Sequence, residues 1–242
     1  CGSDYRSFSC VEEEGTELSK LDSAITLNHI QKYYNGGEIR HDVFDDVNLE
    51  VKRGEFVAAV GQVGSGKTTL INLITGLDRP AHGKIHVGGV ETTNLHDGDL
   101  ANIRSRMMGV VYQTQDLVPQ LTVYENVELP LMFNKVQGKE RSEKVFQILD
   151  LMHISREANR KVSKLSVGEK QMVSIARSLV TDPPIILMDE PTESLDPLAT
   201  EMVMGFIRGA NMLRGKTLLI TTHDKKIMNL AQKVVRVRKR IP

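Results

Sequence analysis

Two periods of apolar residues run through this chain. Phe56-Val57-Ala58-Ala59-Val60, Ile185-Ile186-Leu187-Met188 and Thr217-Leu218-Leu219-Ile220 are short runs without helical spacing. Runs of that kind predict strands buried on both faces. Between them the period changes. From Thr69 to Leu77, the residues Leu70, Ile71, Leu73, Ile74 and Leu77 fall on one side of a helix. Met172, Val173, Ile175, Ala176, Leu179 and Val180 form a second helical face, stopped by Asp182-Pro183-Pro184. Met202 to Leu213 forms a third. Strands alternating with helices predict an α/β fold with a mostly parallel sheet.

Two stretches depart from this alternation. From Ile25 to Val51, short β-type runs (Ile25-Thr26-Leu27, Asp42-Val43-Phe44, Val47-Asn48-Leu49) flank a turn at Asn35-Gly36-Gly37. With Gly83 to Gly89 they predict an antiparallel β subdomain. From about 114 to 165 the spacing is helical, with Val145, Ile148, Leu149 and Met152 on one face, which predicts a helical subdomain insertion. Residues 1–23 are polar and acidic, with Glu12-Glu13-Glu14, and predict a flexible N-terminal arm before one domain over 24–242.

The strand at Phe56–Val60 leads into Gly61-Gln62-Val63-Gly64-Ser65-Gly66-Lys67-Thr68, and a helix follows at once. This is a complete G-x-x-x-x-G-K-[ST] phosphate-binding loop in strand–loop–helix context, which places the chain among P-loop NTPases. Glycines let backbone N–H groups close around phosphate oxygens, and the helix N-terminus adds positive potential. Lys67 is placed to reach the β- and γ-phosphates, and the Thr68 hydroxyl to bind Mg²⁺. The phosphate-binding set is Gly61, Gly64, Ser65, Gly66, Lys67, Thr68 and Thr69.

Composition narrows the partners. Of 242 residues, 31 are Lys or Arg and 31 are Asp or Glu, so net charge gives no case for nucleic acid. No apolar run approaches the roughly 20 residues that span a bilayer, so a membrane role is expected to come through a partner. Cys1 and Cys10 read as free thiols, not a disulfide framework. With no secretory apolar core at the N-terminus, the expected compartment is the cytosol. The basic end, Arg236, Arg238, Lys239 and Arg240, reads as a solvated strand edge.

A second constellation completes the picture. The strand Ile185–Met188 ends in Asp189-Glu190, followed by Pro191-Thr192-Glu193-Ser194-Leu195-Asp196. In P-loop enzymes the first carboxylate at such a strand end helps hold Mg²⁺, and the next can serve as general base toward water. Further matches are Gln113 in Val110-Val111-Tyr112-Gln113, Leu165-Ser166-Val167-Gly168-Glu169, and Thr221-Thr222-His223-Asp224. In this order, the elements resemble the nucleotide-binding subunits of ABC transporters, over nearly all of Ala24 to Arg238. Leu121-Thr122-Val123-Tyr124-Glu125-Asn126-Val127, with Glu128-Leu129-Pro130-Leu131, is similar to the lipoprotein-releasing and macrolide-exporter branch.

The resemblance implies ATP and Mg²⁺ as ligands, and roles residue by residue. Tyr34 is the expected adenine-stacking aromatic, with Tyr33 as its competitor. Glu190, His223 and Gln113 are the expected catalytic residues, and Thr68, Gln113 and Asp189 the expected Mg²⁺ set. Ser166 and Gly168 are expected to bind the γ-phosphate of ATP held by a second ATPase subunit, with a homodimer as the simplest assembly. The resemblance implies an integral membrane permease subunit as the other partner, and a peripheral position on the cytoplasmic face of the membrane. The alternative is a non-transporting ATPase switch that signals to a membrane-spanning cell-division regulator. A chromosome or DNA-repair ATPase is disfavoured, because Gln113 to Ser166 is too short for a coiled-coil insertion.

The chain departs from the family pattern at several points. Val167 stands where glycine is usual, Glu169 replaces glutamine, Met172 replaces arginine, Gln62-Val63 replace Pro-Ser, and Glu193 adds a negative charge after Glu190. An active ATPase is still expected, with Val167 bearing on its turnover rate. A nucleotide-binding scaffold without turnover is the reading that Val167 and Glu193 together would favour.

Overall fold

A computed structural model describes residues 22–36, 39–193, 195–213 and 215–238. The expected N-terminal arm, but for Asp22 and Ser23, lies outside the described residues, as do both cysteines, Ser194, Lys239 and Arg240.

The first layer is antiparallel. Strands β1 (Ser23–Gly36) and β2 (Ile39–Lys52) pair along their length, and β4 (His82–Val87) joins the other edge of β1. The short β5 (Val90–Glu91) completes the order β2-β1-β4-β5. The separate runs read from the sequence are thus merged into two strands of 14 residues each. Bulges make that possible, because they let the register shift and keep apolar side chains on one face. One lies at His29, whose φ is 51° and whose N–H donates to Asn48 Oδ1 at 2.8 Å.

The second layer is a parallel sheet. It contains β3 (Phe56–Val60), β6 (Met108–Val111), β7 (Ile185–Asp189), β8 (Thr217–Thr222) and β9 (Lys233–Arg236), in the order β6-β7-β8-β3-β9. Every pairing is parallel. The basic end is therefore the edge strand β9 and its exit, with Arg236 and Arg238 exposed.

This sheet divides two cores by strand alternation. Ile185, Leu187 and Leu219 face the antiparallel layer and α1 (Lys67–Thr75). Ile186, Met188, Leu218 and Ile220 face the opposite core. That core also holds α3 (Val123–Phe133), α4 (Gly138–Leu151), α5 (Val167–Leu179) and α6 (Pro197–Arg208). Among the described residues, α2 (Asp97–Met107) and α7 (Lys225–Leu230) are further α-helices.

Two boundaries and one helix differ from expectation. Leu77, predicted on the buried face, lies beyond α1 and is 56% exposed. Gly76 (φ 68°) turns the chain in the left-handed region and its N–H caps the carbonyls of Asn72 and Leu73. Next, α6 begins five residues before Met202. Asp196 caps Ala199 N–H at 2.8 Å and Pro197 fills the first turn, where a missing N–H costs nothing. Finally, α2 was not foreseen, because only Leu100 is buried along it and the apolar period is absent.

Candidate functional site

The carboxyl ends of β3, β6, β7 and β8 bring the sequence motifs together. After Val60 the chain turns through Gly61–Gly66 and enters α1 at Lys67. Gly64 and Gly66 hold φ of 76° and 99°, which L-residues adopt only with strain. Gly66 sits at the N-cap of α1, where no side chain caps the first-turn amides. Lys67 is only 8% exposed. It donates to the carbonyls of Gly61 (2.7 Å) and Gln62 (3.2 Å) and pairs with Glu190 Oε1 at 3.1 Å.

The end of β7 supplies two carboxylates to different partners. Asp189 accepts the Thr68 hydroxyl at 2.7 Å through Oδ2, and its Oδ1 accepts the Thr221 hydroxyl. Glu190 adopts φ 47°, and its N–H donates to Thr221 O at 3.0 Å. Its Oε2 lies 2.9 Å from His223 Nδ1 and accepts the His223 N–H at 3.2 Å. Asp189 and Thr221 face each other in the β7–β8 register, so Glu190 and His223 emerge side by side. Glu190 is 8% exposed, whereas the His223 side chain is 63% exposed.

These residues fit a Mg²⁺–triphosphate. The Thr68 hydroxyl and Asp189 carboxylate are a hard oxygen set suited to that ion. Among the described residues the buried Ser65 hydroxyl has no partner, and the α1 amides carry no side-chain cap, as an anion-binding loop requires.

Gln113 leaves β6 two residues past Val111, level with Glu190, because Val111 lies opposite Met188. Its amide Nε2 donates to Glu193 Oε2 at 2.5 Å. A parallel link runs beneath: Gln115 Nε2 donates to Gln171 Oε1 (3.2 Å), and Gln171 Nε2 donates to Pro191 O (3.0 Å). Gln171 is 3% exposed on the first turns of α5. Sequence reasoning missed it, because its one signal is a polar residue beside the apolar Met172.

Tyr34 stands at the end of β1. Its hydroxyl donates to Asp78 Oδ2 at 2.6 Å and also engages the Thr69 side chain. One face of its ring lies against Lys32 Nζ, 4.6 Å from the centroid. Lys32 is buried and bonds Asp78 Oδ1 (2.5 Å) and Arg79 O (2.9 Å). Burial and the bond to Asp78 push the Tyr34 hydroxyl above its ordinary range. Burial works to raise Asp78, but the bonds from Lys32, Tyr34 and the Arg79 N–H outweigh it and hold the carboxyl low. Tyr33, the competing aromatic, lies under Arg40, with the guanidinium 3.9 Å from its ring centroid. Lys32 and Asp78 were not foreseen, being 46 residues apart.

Ser166 and Gly168 are placed differently. Ser166 caps α5: its Oγ accepts the Glu169 N–H at 3.2 Å, and Glu169 Oε2 accepts the Ser166 N–H at 2.7 Å. The Ser166 side chain also bonds the Glu169 carboxylate. These bonds hold the Glu169 carboxyl below its ordinary value. Gly168 packs against α6, where an added Cβ would meet Ala199 Cβ at 3.0 Å. Val167 between them is 49% exposed. Among the described residues, no hydrogen bond joins Ser166 or Gly168 to the loop Gly61–Thr68.

Residues 44–193 match the ABC transporter family. The chain is 40% identical over 214 residues to the uncharacterized ABC transporter ATP-binding protein YvrO of Bacillus subtilis, covering 88% of this chain and 93% of that one. The macrolide export ATP-binding/permease protein MacB of Neisseria gonorrhoeae is 36% identical over 216 residues, which is 89% of this chain but 33% of MacB. Among solved structures, a dimer of the ATP-binding cassette MJ0796 in a post-hydrolysis state with ADP and Pi superposes with a TM-score of 0.84. It is 38% identical, covering 88% of this chain and 94% of that one.

Proposed function

The chain belongs to the ABC transporter family as an ATP-binding ATPase, and from that premise we propose that it powers a separate membrane subunit for export or extrusion. The proposed cargo class is lipoprotein, peptide or drug-like substrate, and the likeness to the macrolide exporter MacB supports the drug-like member of that class. Among the described residues no helix is long and apolar enough to cross a membrane. In this reading a permease partner holds the subunit at the cytoplasmic face of the membrane.

The observation that carries this reading is the pair of bonds across the loop–β7 junction, Thr68–Asp189 and Lys67–Glu190. In the proposed mechanism the α1 amides and Lys67 hold the phosphates of ATP, and Tyr34 stacks on adenine with the ring face that Lys32 leaves free. Thr68, Asp189 and Gln113 would hold Mg²⁺, which supplies charge neutralisation at the β- and γ-phosphates. Glu190 takes the proton of the attacking water. Its two oxygens are aimed by Lys67 on one side and His223 on the other, and His223 faces the γ-phosphate. Ser166 and Gly168 act in trans: their protomer closes over the nucleotide of a second copy, as the dimeric MJ0796 relative supports. ATP then favours the closed pair, and near-complete switching needs about 5.5 kcal/mol of differential affinity.

Glu190→Gln tests the assignment. Hydrolysis should fall by at least ~10²-fold while ATP binding persists, because only proton abstraction is lost. The variant should elute as an ATP-dependent dimer on sizing chromatography. A monomer that binds ATP tightly, or a variant that hydrolyses at the wild-type rate, would overturn it.

A further inference from the structure

Glu193 is one of the points where this chain departs from its family pattern, and it contacts Gln113 directly. The turn after β7 brings it there: the Glu193 N–H donates to Glu190 O at 3.1 Å and closes the turn that follows Glu190. Gln113 Nε2 then donates to Glu193 Oε2 at 2.5 Å. Both side chains are exposed, so their bond is not needed to bury either group.

A glutamine amide has two ends with opposite chemistry. Its oxygen can bind a cation, and its NH₂ repels one. Rotation by half a turn exchanges them, and an exposed glutamine samples both. An ionised carboxylate accepts hydrogen bonds and donates none. Glu193 can therefore bond only the NH₂ end, which turns the Gln113 oxygen away from the 190–193 turn. We propose that Glu193 is a positioning residue that selects the amide orientation in which Gln113 Oε1 is presented to a divalent cation on the nucleotide. The Gln115–Gln171–Pro191 link, through the buried Gln171, holds the two segments at the spacing the contact requires. This inference rests on the assignment of Gln113 to the metal set made above.

The test measures metal binding without turnover. Mn²⁺ is titrated into protein saturated with a non-hydrolysable imido analogue of ATP and followed by electron paramagnetic resonance. Wild type is compared with Glu193→Ala and Glu193→Gln. Loss of an outer-shell partner weakens metal affinity by about tenfold or more. Glu193→Ala should show about that loss, with metal-free nucleotide affinity unchanged. Glu193→Gln can still accept from Gln113 Nε2 but no longer forbids the rotated amide, so it should fall between the other two. Equal weakening in both variants would mean that Glu193 acts through charge alone and would overturn the proposal. So would an alanine variant that binds Mn²⁺ as well as wild type. If wild-type protein binds the analogue but shows no nucleotide-dependent Mn²⁺ signal, the assignment of Thr68, Asp189 and Gln113 falls as well.

Discussion

Replacing Gly64 and Gly66 separately by alanine distinguishes backbone strain from crowding within one loop. Both residues hold a positive φ, 76° and 99°. A left-handed L-residue costs about 1–2 kcal/mol. Alanine recovers roughly 0.4–1 kcal/mol by restricting the unfolded chain. Strain alone therefore predicts a net loss near 1 kcal/mol at either site. The surroundings differ. A Cβ at Gly64 meets nothing within 4 Å. At Gly66 it meets Val43 Cγ1 at 2.7 Å and Phe44 Cε1 and Cζ at 2.8 and 2.9 Å. Phe44 is 3% exposed in the core beneath the antiparallel layer and has little room to retreat. Overpacking of such a core costs about 1–3 kcal/mol more. A domain of this size loses roughly 2–4 °C of melting temperature per kcal/mol, so Gly66→Ala should melt roughly 2–12 °C below Gly64→Ala. Differential scanning calorimetry without nucleotide measures this directly, free of any effect on phosphate binding. Equal melting temperatures, or a lower one for Gly64→Ala, would refute the claim that the loop is wedged against β2.

Other expectations follow from the same geometry. Val167→Gly removes a branched side chain that is 49% exposed on the first turn of α5, so steady-state turnover at saturating ATP should rise; an unchanged rate would remove crowding by Val167 as a limit on turnover. The stability cost of that glycine should stay within about 1 kcal/mol. Asp78→Asn leaves the buried Lys32 facing a neutral amide and should cost about 1–3 kcal/mol in urea unfolding near neutral pH. Because the Asp78 carboxyl is held below its ordinary value, its contribution is full above about pH 4 and is lost as pH falls through the lower folded value. The wild-type stability curve should therefore be steeper than that of Asp78→Asn below about pH 4, and parallel curves would exclude the Lys32–Asp78 pair as the cause.

The parallel strands and the phosphate loop were legible in the sequence because their signals are local. A run such as Ile185–Met188 has one way to be buried on both faces, and the glycines of Gly61–Thr68 state their backbone geometry within eight residues. The antiparallel layer was legible in kind but not in extent, since bulges such as that at His29 conceal the alternation. Leu77 misled, because the period continues past the glycine that ends α1. What only the tertiary structure decided lies in pairs far apart in the chain: Lys32 with Asp78, Gln113 with Glu193, and Gln171 with Pro191. No periodicity encodes these contacts. Gln113 meets Glu193 because the sheet order β6-β7-β8-β3-β9 sets the ends of β6 and β7 side by side; Lys32 meets Asp78 where β1 of the antiparallel sheet passes the turn after α1, and Gln171 reaches Pro191 from the first turns of α5. Residue types and spacing thus determined which chemistry the chain carries, while the folded sheet determined which groups meet and in which orientation they are held.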